Sequence, residues 1–197
     1  MENDNGRVQL LAPRTGAPLR LLSMTDRCTG LAVEIRGPGG CTAVSEKWRR
    51  AGSLPAGGLL GLCDSHGEQR VLIVDVESGL VQHTLTYCGP APAGSSNSSN
   101  TCATCTAEQT PESWFPTCVA EPRPGLLAVT DREYGRVILF RCGSSGGGDG
   151  DDERGVTSSV LLEGLVRPVG CSVLQDGSLA VTDTGRGLIQ LVPPSAF

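Results

Sequence analysis

The chain is poor in aromatic residues, 4% of 197, and carries a single lysine, Lys47, against 15 arginines. With so few rings, Val, Leu, Ile and Cys must fill the core. The formal net charge of -5 gives no basic field of the kind that nonspecific nucleic-acid binding draws on. RNA is therefore disfavoured as a partner, with only a local arginine patch left to support it. No run of 18 apolar residues occurs, so no membrane-spanning helix is expected. The start, Met1 to Arg7, is acidic and polar and leads into no signal-peptide core, so the chain is expected to be cytoplasmic and to have no membrane partner. Nine cysteines is an odd count, which excludes a fully paired disulfide framework within one chain.

What the chain does have is a repeat. Leu126-Leu127-Ala128-Val129-Thr130-Asp131 returns 52 residues later as Ser178-Leu179-Ala180-Val181-Thr182-Asp183. Looser copies end at Asp26 and Asp75, so that the aspartates Asp26, Asp75, Asp131 and Asp183 are spaced 49, 56 and 52 residues apart. A glycine stands four residues after each one: Gly30, Gly79, Gly135 and Gly187. Apolar residues four and two positions before each aspartate give the period of a strand with one face in a core. Aspartate accepts hydrogen bonds from turn amides and glycine supplies the positive φ, so each unit reads as a hairpin. Pro116 and Pro168, fifteen residues before their aspartates, open short apolar runs expected to be the innermost strands.

Four sheet units of about 40 to 50 residues point to an all-β fold, a β-propeller built of four repeat units. The stretch Pro168 to Val192 resembles the NHL repeat, with its Pro-containing first strand, Gly turn, strand ending in Thr-Asp and third strand; Pro116 to Phe140 matches almost as well. The long insertions resemble those in the C-terminal propellers of tripartite-motif ubiquitin ligases. The resemblance implies either a small closed propeller or the C-terminal part of a six-bladed one, residues 1–197 forming one domain with low-complexity insertions at about 88–112 and 143–154. The segment Gly6 to Leu11 is expected to be an edge strand that closes the ring by completing the last blade.

Chemistry-bearing motifs are sparse. Cys102 and Cys105, flanked by Cys88 and Cys118, have the one metal-like spacing, but it is irregular and no second CxxC accompanies it, so no metal is expected. Cys63 and Cys171 fall at one repeat position and Cys118 one earlier, in keeping with small buried hydrophobes. His66 and His83 occupy unmatched positions, and no Ser/His/Asp trio can be placed with equivalent geometry. Gly146 to Gly148 does not lead from a strand into a helix, so it is no phosphate loop. No cofactor is expected. The sequence thus predicts a non-enzymatic protein-interaction platform, which the resemblance extends to substrate recruitment for ubiquitin ligation. RNA-binding propellers and propeller lyases or hydrolases are the alternatives. The turns after the aspartates and the links into the next blades should share one rim. That rim is predicted to bind a protein partner through Arg27, Glu77, Arg132, Glu133, Tyr134, Thr184 and Arg186, a set containing arginines and an aromatic of the kind that anchors interfaces.

Overall fold

A computed structural model of the chain describes residues 7–11, 15, 17–23, 41–44, 47, 58–65, 68–87, 114–143 and 156–197. These residues are all-β apart from isolated single turns. The strands are β1 (Arg7–Leu11), β2 (Pro18–Ser23), β3 (Cys41–Val44), β4 (Leu59–Asp64), β5 (Arg70–Asp75), β6 (Val81–Leu85), β7 (Pro116–Arg123), β8 (Leu126–Asp131), β9 (Arg136–Cys142), β10 (Val156–Leu162), β11 (Pro168–Val173), β12 (Leu179–Asp183) and β13 (Leu188–Val192). They form four antiparallel sheets: the hairpin β1-β2, blade II (β3-β4-β5-β6), blade III (β7-β8-β9-β10) and blade IV (β11-β12-β13). Each of the three blades is a meander in chain order, the propeller arrangement.

The sequence anchors of blades III and IV hold. Gly135 and Gly187 adopt φ of 62° and 66°, closing the β8–β9 and β12–β13 turns. The proline openings have a local cause. Pairing slips between Pro116 and Cys118 in blade III, and between Pro168 and Gly170 in blade IV, so one residue bulges after each proline. The next amide is taken up by the threonine of the Thr-Asp pair: Cys118 N donates to Thr130 Oγ1 at 3.0 Å, and Gly170 N to Thr182 Oγ1 at 2.8 Å.

Blade II is framed differently from the expectation that placed Asp75 beside Asp131. Its second strand is β4, so the counterpart of Asp131 is Asp64. Arg70 Nε bonds Asp64 Oδ2 at 3.3 Å as Arg136 Nε bonds Asp131 Oδ2 at 2.8 Å. Gln69, with φ of 52°, takes the place of the turn glycine. Asp75 and Gly79, φ 73°, instead close the β5–β6 turn, between third and fourth strands. There Asp75 Oδ1 accepts from Glu77 N at 3.0 Å and Ser78 N at 2.7 Å, the turn-capping expected of it. Cys63 consequently lies on a second strand, where blade III has Thr130, and does not share a repeat position with Cys171. Cys41, on the first strand β3, does.

Alternate residues of each strand go to opposite blade interfaces. Leu59, Cys63, Val71 and Ile73 of blade II pack against Val119, Leu127, Val129, Ile138 and Phe140 of blade III, together with Trp114. The other face of blade III, Ala120, Leu126, Ala128, Val137 and Leu139, packs against Leu179, Val181 and Val192 of blade IV. β8 is thus buried on both faces and reads as a continuous apolar run, whereas β12 keeps the predicted alternation. On blade IV, Ile189 and Leu191 occupy the positions of Val137 and Leu139 but are 64% and 62% exposed.

The expected closure of the last blade by the N-terminal strand is not what forms: β1 pairs with β2, and β13 bonds only β12 among the described residues. β1 begins with Arg7-Val8, the Arg-Val pair that opens β9, so its pattern fits the third strand of a blade and seeks a fourth-strand partner, which β2 supplies. Asp26, Gly30 and Arg27, and nearly all of the insertions at 88–112 and 143–154, lie outside the described residues.

Candidate functional site

Asp131 and Asp183 do more than cap their own turns. Asp131 Oδ1 accepts from Phe115 N at 2.9 Å, while Arg132 N donates back to Phe115 O at 3.0 Å. Asp183 Oδ1 accepts from Arg167 N at 2.9 Å, while Thr184 N donates to Arg167 O at 3.0 Å. The same reciprocal bridge therefore ties the residue before each opening proline to the second-to-third-strand turn. Tyr134 N reaches Asp131 Oδ1 only at 3.5 Å, so the principal amide donor is this link and not the turn. Burial pushes the Asp183 carboxyl up, but the Val166 and Arg167 amides and nearby Arg186 outweigh it and hold the group below its ordinary range.

These bridges set the turns side by side. Ser65 Oγ, next to Asp64, donates to Pro116 O at 2.5 Å. Leu165 N donates to Gly135 O at 2.8 Å, and Leu165 leads directly into Val166 and Arg167 beneath Asp183. The result is one rim carrying the turns after Asp64, Asp131 and Asp183. Arg132, Glu133, Tyr134, Thr184 and Arg186 all stand on it. Glu77 does not. Its turn joins third and fourth strands, and in a meander that turn emerges at the opposite end of the blade. The mixed rim predicted from sequence is corrected accordingly.

The rim's most structured feature is a stack of rings and guanidinium groups. The Arg136 guanidinium lies 4.4 Å from the Tyr87 ring centroid and 4.7 Å from that of Tyr134, while its Nε is fixed by Asp131. Arg132 lies 5.7 Å over the ring of Phe115. Tyr134 is 48% exposed and Arg136 is buried, so the cation is hidden and one tyrosine face is presented to solvent. Cation–π contacts of this kind strengthen as the cation is desolvated. Tyr87, Phe115 and Arg136 were missed from sequence. Arg136 had a signal, an arginine opening the strand that follows an Asp-ended strand, as in Asp64/Arg70, whereas the two rings reach the site from other elements. On blade IV, a depression of about 420 Å³ is lined by Thr182, Asp183, Thr184, Gly187, Leu188 and Ile189.

Of the thiols weighed for zinc, Cys88, Cys102 and Cys105 lie outside the described residues, and Cys118 sits in β7 beside Cys171. Among the described residues no group of three or more His, Cys, Asp or Glu is arranged to hold a metal ion. Nor is any helix among them long and apolar enough to cross a membrane.

No protein-family profile and no curated protein matches the chain. Among solved structures it is similar to one from Thermus thermophilus, provisionally assigned as an oxidoreductase (glucose dehydrogenase). The identity is 18% and the TM-score 0.41, covering 90% of this chain and 46% of that one. The chain thus spans about half the length of that protein. The expectation that this chain is not an enzyme is withdrawn on that finding, because a protein assigned as an enzyme stands among its structural matches.

Proposed function

We propose that the chain is a protein-interaction platform and that its partner docks on the rim of second-to-third-strand turns. The observation that carries this reading is the Tyr87–Arg136–Tyr134 stack. It holds an aromatic residue rigid and half-exposed, beside Arg132 and Arg186, on a rim braced by backbone bridges. Tyrosine and arginine in fixed rotamers bind at low entropic cost, which is why such residues dominate interface energetics. The finer reading, from the likeness of Pro116–Phe140 and Pro168–Val192 to NHL repeats, is substrate recruitment for ubiquitin ligation, with the transfer activity supplied by another chain. The thiols of Cys118 and Cys171 accord with a cytoplasmic, reducing setting.

The combined variant Arg132→Ala/Tyr134→Ala/Arg186→Ala tests the reading. It is expected to lose capture of the protein partner while still unfolding in one cooperative transition, lowered by only about 1–2 kcal/mol for the lost Tyr134–Arg136 contact. Capture that survives the triple change places the partner elsewhere. Capture of RNA, weakening steeply with salt, replaces the protein reading with nucleic-acid binding.

A further inference from the structure

Blades III and IV meet along their first strands, and there two cysteines face each other across the seam. Cys118 on β7 directs its sulfur to Cys171 O at 3.4 Å, and the two thiols are themselves hydrogen-bonded. Cys171 on β11 directs its sulfur to Ala128 O at 3.7 Å. The position of Cys118 is filled by Gly170 in blade IV; both stand opposite the threonine of the Thr-Asp pair, so the blade needs no side chain there. We propose that Cys118 and Cys171 form a thiol–disulfide exchange site whose substrate is a low-molecular-weight disulfide and whose product is a covalent staple between blades III and IV.

The chemistry balances. The Cys118 thiolate attacks one sulfur of the small disulfide, forming a mixed disulfide and expelling one small thiolate. Cys171 then gives up its proton and attacks the Cys118 sulfur, forming the Cys118–Cys171 bond and expelling a second small thiolate, which accepts the proton. Two protein thiols are oxidised and one small disulfide is reduced to two thiols. The roles of the two residues are set by their surroundings. The Cys171 hydrogen bond to the Cys118 sulfur lowers the Cys118 thiol to about 6 against the opposing effect of burial, so it is the attacking thiolate at neutral pH. The same contact, with burial, pushes Cys171 well up. Once Cys118 is consumed in the mixed disulfide its charge no longer holds the Cys171 proton, which frees Cys171 to resolve the adduct.

The test treats the reduced 197-residue chain with oxidised glutathione, quenches unreacted thiols by alkylation and maps the peptides by mass spectrometry. Wild type is expected to yield a Cys118–Cys171 linked peptide and to melt at a higher temperature when oxidised. In wild type the loss of the Cys118 thiol is expected at a rate half-maximal near pH 6. Cys171→Ala is expected to accumulate a glutathione adduct at Cys118 with its midpoint moved to higher pH, because the hydrogen bond that lowers the Cys118 thiol is gone, whereas Cys118→Ala leaves Cys171 unmodified. A wild-type map in which both thiols remain alkylatable, or in which glutathione stays on Cys118 without the linked peptide, overturns the proposal. That map decides the matter even if a variant fails to fold.

Discussion

Gly135→Ala is expected to cost about 4 kcal/mol, roughly 10 °C in melting temperature for a chain of this size, while Gly187→Ala costs only about 1–2 kcal/mol. Both glycines close the same turn of successive blades with φ of 62° and 66°, so the left-handed penalty is common to them. The difference is what a methyl group meets. At Gly135 an added Cβ would lie 2.0 Å from the carbonyl oxygen of Leu165, which is backbone and cannot swing aside, whereas at Gly187 nothing lies within 4 Å. Relief of the clash would break the Leu165 N to Gly135 O bond and loosen the link that feeds blade IV. Equal melting temperatures for the two variants would show that the link does not run over the blade III turn.

The second large effect is expected at the Asp131–Arg136 pair. Asp131 is wholly buried, its Oδ2 2.8 Å from Arg136 Nε, and the guanidinium is enclosed by Tyr87 and Tyr134. Removing either partner leaves a buried charge uncompensated, so Asp131→Ala and Arg136→Met should each destabilise by about 3–5 kcal/mol. The double variant removes both charges at once and should fall short of the sum by about 2 kcal/mol. Strict additivity in urea unfolding would mean that the two side chains do not act as a pair. Blade IV offers an internal contrast: Leu188 replaces the arginine, and Asp183 is served by Arg186 only at 3.9 Å from a half-exposed position.

How much of this was legible in sequence follows from how local each feature is. The hairpins of blades III and IV could be read because Thr-Asp and the following glycine act within a few residues: threonine fills the post-proline bulge, aspartate bridges to the pre-proline residue, and glycine turns. Blade II misled because an apolar run, an aspartate and a glycine four residues on recur at Asp75 and Gly79, a different turn of the same meander. The true counterpart, Asp64, was disguised by Gln69 in the left-handed position and by Cys63 in place of threonine. The continuous burial of β8 could not be told from a one-faced strand, since it depends on having a blade on either side. The ring stack was illegible for a similar reason. Tyr87 follows β6 of one blade and Tyr134 lies in a turn of the next, and only the packing of blade II on blade III brings both to Arg136.

The placement of the binding face on the second-to-third-strand rim is tested most directly by putting a photoreactive phenylalanine at one of two exposed positions, in place of Tyr134 or of Glu77, and irradiating each chain with its captured partner. The two residues stand at opposite ends of the blades, so one reports the proposed rim and the other the face away from it. Cross-linking of a protein partner through position 134, with none through position 77, is the predicted result. Cross-linking through position 77 alone would contradict it.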